Sequence, residues 1–409
     1  MRDIKSLIEA QLRAPFEKVS VINLVDLFVE YAFLTKASDI HIEPVANNFS
    51  RLRFRVDGLL RDLFAELRIG KELHREVISR IKVLAGLRTD EHFLPQDGRM
   101  KVSIESGNID IRVSIMPTYH GENAILRVLA ETQNFNLEDL DLSPEDMQKI
   151  GVAIGKPYGM ILANGPTGSG KTTTLYTILK RINKPEVSII TIEDPIEYSL
   201  SGVTQIQINE HVGLAFANGL RSILRQDPNI IMVGEIRDED TAAIVVNAAL
   251  TGHLVLSTLH TNDAATTFPR LIDMGVPPFL VASTVNIAMG QRLVRKLCQK
   301  CKTKKVLSDS EVKSVSELIP KVGKTGQKTF FIGKGCSECD HSGYSGRVGV
   351  REVLMVNEEI RQLIMNRANA TQIKEAAIRN GMATMLDDGL AKAASGLTSL
   401  EEILRIIHE

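Results

Sequence analysis

The chain has 409 residues, with 49 basic and 50 acidic side chains and a formal net charge of −1. Its length predicts two or three domains, and its 44% hydrophobic and 24% charged residues are ordinary for a globular protein. The balanced charge gives no support to a nucleic-acid partner. Because no run approaches eighteen apolar residues and the first nine residues include acids, we expect a cytoplasmic protein without a signal peptide.

The first 135 residues predict an α+β domain. Helical periodicity covers 21–32, and a second helix is expected over about 70–85. Strands are predicted at 39–43, 51–58, 109–115 and 124–129, of which 51–58 alternates strictly and ends in an Asp-Gly turn signal. The acidic, polar residues 136–147 are predicted to be a linker, with a helix starting at Ser143-Pro144-Glu145.

Residues 148–295 predict an α/β domain. Uninterrupted apolar runs at 160–163, 188–192, 230–233 and 254–257 suit a parallel sheet that is buried on both faces. Between the first run and a helix-like segment lies Gly165-Pro166-Thr167-Gly168-Ser169-Gly170-Lys171-Thr172, followed by Thr173. This spacing in this context predicts a phosphate-binding loop rather than an incidental glycine-rich turn. Lys171 would meet the β- and γ-phosphates of ATP, and the Thr172 hydroxyl would hold Mg²⁺.

Three later segments carry groups that a nucleotide hydrolase needs. Glu193 and Glu197 follow a buried strand, and we consider Glu197 the first candidate for general base and Glu193 the second, against a merely solvated acidic turn. Glu235 follows the strand at 230–233, in a position where a carboxylate can face Mg²⁺. His260 follows the strand at 254–257 and could sense the γ-phosphate, whereas His253 before it reads as a structural residue.

Arginines could supply positive charge to the transferred phosphoryl group. Arg51, Arg53 and Arg55 share one strand face, for which a solvated basic surface is the simpler interpretation. Later elements of the first domain carry Arg99, Arg112 and Arg127. An arginine placed against a phosphoryl group accelerates hydrolysis by roughly 10³–10⁵-fold in NTPases, so these three are candidates for catalysis.

All four cysteines occur in two pairs, Cys298-x-x-Cys301 and Cys336-x-x-Cys339, within the segment 296–346. Each pair can present two thiolates to one tetrahedral Zn²⁺, which would staple this segment. Disulfides and redox-active thiols are the alternatives. A reducing compartment disfavours disulfides, and a redox role would explain one cysteine pair but not the second. The remaining residues, 347–409, are predicted to be largely helical.

These motifs stand in the order found in the secretion ATPases of type II secretion and type IV pilus assembly, which the chain resembles over nearly all of its length. Besides the phosphate loop, the resemblance covers 191–197, Gly234-Glu235, 251–262, and in the first domain 37–44, 54–58 and 95–99. It implies a PAS-like N-terminal domain, a RecA-like ATPase domain, and nucleotide-facing roles for Arg99, Arg112 and Arg127.

The resemblance further implies a hexameric motor that acts on an inner-membrane platform protein, with domain closure coupled to hydrolysis through a hinge near 136–147. The cysteine pairs match a zinc-bearing segment typical of assembly and secretion motors and missing from retraction motors. The family often carries a further N-terminal docking domain, and because this sequence begins at or near the PAS-like domain, we expect that domain to be on another polypeptide or the sequence to be a fragment. Three alternatives remain open. They are a retraction motor, a nucleotide-binding scaffold, and a nucleic-acid-binding ATPase of DNA uptake or conjugation, of which the last is based on the lysines near 296–305.

Overall fold

The computed structural model describes residues 4–62, 64, 67–104, 107–129, 136–319, 322 and 326–408. The chain divides into two compact units, Met1–Asn134 and Phe135–Glu409. The predicted boundary at residue 135 falls outside the described residues. Within the described part of the chain, every helix is too short or too polar to cross a membrane.

The first unit is an antiparallel sheet with helices, as the alternating patterns predict. Its helices are α1 (Ile4–Arg13), α2 (Val21–Leu34) and α3 (Lys71–Leu84). Its strands are β1 (Ala37–Val45), β2 (Phe49–Val56), β3 (Leu59–Arg61), β4 (Ile69–Gly70), β5 (Gln96–Ile104), β6 (Gly107–Thr118) and β7 (Gly121–Leu129). The strand order is β3-β2-β1-β7-β6-β5, and β4 pairs with β2.

Helix α2 forms because its apolar residues cover a wide face and its first turn is capped. The Ser20 hydroxyl accepts a hydrogen bond from the Asn23 amide, which satisfies one of the unpaired N–H groups at the helix start. Phe28 and Tyr31 of α2 pack into a core with Phe54 of β2, and the Tyr31 and Phe54 ring centres lie 5.0 Å apart, edge to face. This core holds the sheet and helices of the first unit together.

The second unit is an α/β sheet with helices. Its strands are β8 (Gly159–Asn164), β9 (Ile189–Glu193), β10 (Thr204–Gln207), β11 (Ile230–Val233), β12 (Leu254–Leu259), β13 (Val285–Leu297), β14 (Lys302–Val306), β15 (Thr329–Gly333) and β16 (Tyr344–Met355). Its helices are α4 (Pro144–Ile154), α5 (Lys171–Ile182), α6 (Phe216–Ile223), α7 (Glu239–Leu250), α8 (Thr267–Asp273), α9 (Pro278–Thr284), α10 (Asp309–Leu318), α11 (Glu358–Met365), α12 (Ala370–Arg379), α13 (Met385–Ala394) and α14 (Leu400–His408).

The main sheet has the order β10-β9-β11-β12-β8-β13-β16. All neighbours are parallel except β13 and β16, which are antiparallel. Every residue of β8, β9, β11 and β12 is buried, so the parallel, doubly covered sheet predicted from the four apolar runs is confirmed. Because parallel strands end at one edge, the segments that follow them meet there.

Strands β13 and β16 extend this sheet across the boundaries predicted at 295 and 346. Strand β13 runs from the main sheet directly into Cys298, and β16 returns from the second cysteine pair to pair with it from Leu297 to Ile287. Strands β14 and β15 form a separate ribbon. The cysteine segment is therefore anchored in the same sheet as the phosphate loop.

The C-terminal helices are confirmed over residues 358–408, whereas the prediction is wrong for 347–355, which belong to β16 because they pair with β13. Asn357, Asn369 and Thr384 cap the starts of α11, α12 and α13 with side-chain hydrogen bonds to the first turn. The predicted linker, 136–147, contains a short 3₁₀ helix, Leu137–Leu140, and the first turn of α4. Leu137 and Leu140 are buried in the core of the second unit, and the Arg351 guanidinium donates to the Leu140 carbonyl.

Candidate active site

The phosphate loop connects β8 to α5, as its flanking patterns predict. Gly165 has φ +148°, and a Cβ there would lie 2.5 Å from the Gln291 carbonyl oxygen, so no larger residue fits. Gly170, at the N-cap of α5, has φ +86°, a left-handed conformation that favours glycine. The loop thus presents backbone N–H groups beside a helix N-terminus, which is a favourable place for phosphate.

Lys171 is folded onto the phosphate loop. Its Nζ donates to the carbonyl oxygens of Gly165 at 2.7 Å and Pro166 at 3.1 Å. Burial lowers its pKa to about 8; Glu235 opposes that shift and Arg292 adds to it. Thr172 and Thr173 are half-buried in the first turn of the same helix. The lysine is therefore held at the loop with an ammonium group that is poorly solvated.

Glu193 lies inside a buried hydrogen-bond network. Its carboxylate accepts hydrogen bonds from the Tyr176 hydroxyl, from Thr191 Oγ1 at 2.5 Å and from Gln205 Nε2 at 3.3 Å. Burial, and then the Glu193 charge, raise the pKa of Tyr176 far above its ordinary value, so this phenol stays a donor. These contacts hold the carboxylate between α5 and the strands β9 and β10, which favours a structural role over activation of water.

Glu197 lies four residues further on and is exposed. Its backbone amide donates to the Tyr176 hydroxyl, which ties the segment after β9 to the same network. Of the two glutamates proposed as general base, Glu197 is the one that solvent reaches. The structure therefore favours the order in which the sequence ranks them, while the role itself stays a prediction.

Glu235 and His260 come together at the carboxyl edge of the sheet. His260 Nε2 lies 3.0 Å from Glu235 Oε2, and Arg237 pairs with the other carboxylate oxygen. The hydrogen bond that Arg237 donates to the Glu235 carboxylate raises the pKa of Arg237. Thr258 Oγ1 donates to the Gly234 carbonyl at 2.8 Å and fixes the turn that carries Glu235. The sequence predicted Glu235 and His260 here, but not Arg237.

His253 lies at the opposite edge, before β12. Its Nδ1 is 2.9 Å from the Ala248 carbonyl oxygen at the end of α7. This contact agrees with the structural interpretation of His253.

Arg99, Arg112 and Arg127 form a row across three strands of the first unit. Arg99 is paired with Arg112 between β5 and β6, and Arg112 with Arg127 between β6 and β7. Asp39 of β1 continues the row, and its Oδ1 lies 3.0 Å from Arg127 Nε. Directly opposed residues share one face of a sheet, so the three exposed arginines form one basic strip. Their action on a nucleotide stays a prediction.

The four cysteines converge on one point. Their sulfur atoms all lie within 4.8 Å of one another, and individual Sγ–Sγ distances are 3.8 Å for Cys298–Cys336, 3.8 Å for Cys301–Cys339 and 3.7 Å for Cys336–Cys339. A tetrahedral site with Zn–S bonds of about 2.3 Å has edges of about 3.8 Å. Disulfide-bonded sulfurs lie about 2.05 Å apart, so this is the geometry of a Cys₄ metal site.

Several residues of the site were not predicted from sequence. Gln291 of β13 contacts the phosphate loop, and Tyr176 and Gln205 hold Glu193. A glutamine inside the largely apolar run 285–294 was the available signal for Gln291. Tyr176 and Gln205 carry no such signal, because their role depends on the pairing of α5, β9 and β10.

Comparisons with known proteins identify a matching family and similar relatives. The family described as "Type II/IV secretion system protein" matches residues 16–405. The type II secretion system protein HxcR of Pseudomonas aeruginosa is 44% identical over 408 residues, which cover all of this chain and 80% of the relative. The type IV pilus assembly ATPase PilB of Thermus thermophilus is 44% identical over 98% of this chain, which spans 44% of that relative.

Two solved structures have a similar fold. The ATPase DotB of Legionella pneumophila matches with a TM-score of 0.70 and 22% identity, over 97% of this chain and 98% of that one. The pilus retraction motor PilT with bound ADP matches with a TM-score of 0.62 and 26% identity, over 93% of this chain and 96% of that one.

Proposed function

The chain belongs to the type II/IV secretion system protein family, and on that premise we propose that it is a motor ATPase that drives assembly of a type IV pilus or a type II secretion pseudopilus. The observation that carries this proposal is the meeting of the phosphate loop, Glu235 and His260 at the carboxyl edge of one parallel sheet. Phosphoryl transfer to water requires a loop that holds the phosphates, a carboxylate on the metal side and a polar group near the γ-phosphate.

In this site the chain's own residues have separate tasks. The loop amides and Lys171 bind the phosphates, and Thr172 and Glu235 would hold Mg²⁺, which neutralises charge on the β- and γ-phosphates. Glu197 would accept a proton from the attacking water, because it is the exposed member of the glutamate pair. Glu193 keeps the segment before Glu197 in place through Tyr176.

The finer architecture follows from family membership. We assign a PAS-like fold to the first unit and a RecA-like fold to the sheet around the phosphate loop. The row of Arg99, Arg112 and Arg127 is the surface expected to act on the nucleotide, and support comes from its alignment on one face. Within residues 136–147 the hinge motion would fall at Asn136, since Leu137 and Leu140 are buried in the core of the second unit.

Zinc is the metal that the four cysteines fit. Three of the sulfur–sulfur distances, 3.7–3.8 Å, match the edge of a zinc–thiolate tetrahedron, and the amides of Cys336 and Gly343 donate to Cys339 Sγ at 3.3 Å each. Bound zinc would hold the turn after β13 against the turn before β16. We expect about one zinc per chain by elemental analysis, and its loss when both pairs are changed to serine. A metal-free wild-type protein of unchanged stability contradicts this assignment.

The motor is expected to act as a ring of six copies, peripheral to the inner membrane and in contact with a platform protein. Of the five lysines near the cysteines, three make contacts within the chain, which weakens the competing nucleic-acid role. Lys296 pairs with Asp141 at 2.9 Å, Lys305 pairs with Glu311 at 2.9 Å, and Lys302 lies over the Phe331 ring. These contacts use basic groups that a phosphate backbone would require.

The test compares ATP turnover of the wild type with that of Lys171→Ala and Glu197→Gln. Loss of a phosphate-binding charge or of the general base lowers turnover by roughly 10²–10⁴-fold. Adding the cytoplasmic part of a candidate platform protein should raise wild-type turnover, and light scattering should give the mass of six chains. A wild type that binds ATP without hydrolysing it would establish the scaffold alternative instead.

A further inference from the structure

Gln291 is a buried polar residue in an apolar row. On its face of β13 it follows Ile287 and Met289, which belong to the core beneath the phosphate loop. Its side chain is fully buried. A leucine would continue this row without burying an amide, and a buried amide is unfavourable unless its polar atoms are paired. The contacts of Gln291 therefore indicate what the residue does.

Both ends of the Gln291 amide bind the phosphate-loop region. Nε2 donates to the Ser169 carbonyl oxygen at 2.7 Å, and Oε1 accepts from Thr174 Oγ1 at 2.9 Å. Ser169 lies in the loop, and Thr174 lies in the first turn of α5. Both partners are almost completely buried, so water cannot replace these hydrogen bonds. One side chain thus fixes the loop relative to its helix.

The contact with Ser169 also determines which way the next amide points. A trans peptide is planar, and its C=O and N–H groups point in opposite directions. Because the Ser169 carbonyl is tied to β13, the Gly170 N–H points away from β13. Gly170 is the N-cap of α5, so this N–H belongs to the group of amides that a helix N-terminus offers to an anion.

We propose that Gln291 is a positioning residue for nucleotide binding, which orients the Ser169–Gly170 peptide so that the Gly170 amide faces the phosphates. The inference rests on the proposed ATPase function, and it assigns to β13 an indirect part in phosphate recognition, through the peptide that Gln291 orients. Because β13 ends at Leu297, directly before Cys298, the strand that leads into the cysteine segment is also the strand that positions the phosphate loop.

The decisive variant is Gln291→Met. Methionine has nearly the same length and shape, but it lacks both the N–H donor to the Ser169 carbonyl and the amide oxygen that accepts from Thr174. We expect the KM for ATP and the inhibition constant of inorganic triphosphate to rise together by about tenfold or more. The two constants move together because triphosphate contains only the part of ATP that the loop binds. Gln291→Leu should behave similarly, and Thr174→Val, which removes the other hydrogen bond, should change both constants by about two- to threefold.

The matched control is Asn286→Leu on the same strand. The Asn286 amide donates to the Tyr158 carbonyl and accepts from Lys156, each at 2.9 Å, and these partners lie outside the phosphate loop. This change should lower the melting temperature and leave both constants within about twofold of wild type. Unchanged constants in a folded Gln291→Met protein overturn the inference. Absence of ATP hydrolysis by the wild type contradicts the proposed function instead, so the two failures are distinct.

Discussion

ATP binding should be accompanied by proton uptake at alkaline pH, because Lys171 is buried. In the free protein its pKa is about 8, and burial is the main cause. The phosphates of ATP bring several negative charges next to the ammonium group, which restores the charged form. Binding therefore takes up a proton wherever the free lysine is neutral.

The size of the effect follows from the pKa. With a free-state pKa of about 8, roughly three quarters of the lysine is neutral at pH 8.5 and only about a tenth at pH 7. Uptake should therefore be about 0.75 proton per ATP at pH 8.5 and about 0.1 at pH 7. The pKa of Lys171 is lower in the free protein than in the protein with bound ATP, so the affinity for ATP falls as the pH rises above 8. At higher pH this fall approaches tenfold per pH unit.

Titration calorimetry in buffers of different ionisation enthalpy measures this uptake. The slope of the apparent binding enthalpy against the buffer enthalpy gives the number of protons exchanged. The control is Lys171→Arg, because a guanidinium stays charged throughout this range and should bind ATP without proton uptake. A slope of zero for the wild type at pH 8.5, or a slope equal to that of Lys171→Arg, would refute the buried, partly neutral lysine.

Three further results are expected. Zinc chelation should lower the free energy of unfolding by up to about 4 kcal/mol. This is the chain-entropy value for a cross-link that closes the 34 residues between Cys301 and Cys336. Calorimetric scans with and without chelator measure the difference. Tyr176→Phe should lower the free energy of unfolding, measured by urea titration, by about 1–3 kcal/mol, because it leaves the buried Glu193 carboxylate with one hydrogen-bond donor fewer. A change below about 0.5 kcal/mol contradicts the hydrogen-bond network around Glu193. Phe54→Ala should lower the free energy of unfolding by about 3–5 kcal/mol by the same method, because the ring is fully buried and its removal leaves a cavity. Phe93 is exposed, so Phe93→Ala should leave the free energy of unfolding nearly unchanged.

The parts of the fold that were predictable are those encoded in short segments. The four buried strands of the parallel sheet are continuous apolar runs, and the phosphate loop is a contiguous motif. The end of each strand could be located from sequence, and with it Glu235 and His260, because parallel strands finish at one edge.

The parts that were not predictable depend on pairing between distant segments. Asp39 lies beside Arg127 at the end of the arginine row only because β1 pairs with β7. No local pattern contains that register, since it depends on long-range strand pairing. Likewise, Glu193 is directed inward by Tyr176 and Gln205, which belong to other elements. An acidic cluster after a strand looks the same in sequence whether its members face solvent or a buried hydroxyl.

The position of β8 in the sheet also determines when the nucleotide site can form during synthesis. Its neighbours are β12 and β13, both of which leave the ribosome after the phosphate loop has been made. At about 5–20 residues per second, the delay from Lys171 to the end of β13 is on the order of ten seconds. During that time the loop lacks the strand that carries Gln291. A nascent chain that stops before Val285 should therefore fail to retain ATP, and nucleotide can stabilise this unit only when its sheet is nearly complete.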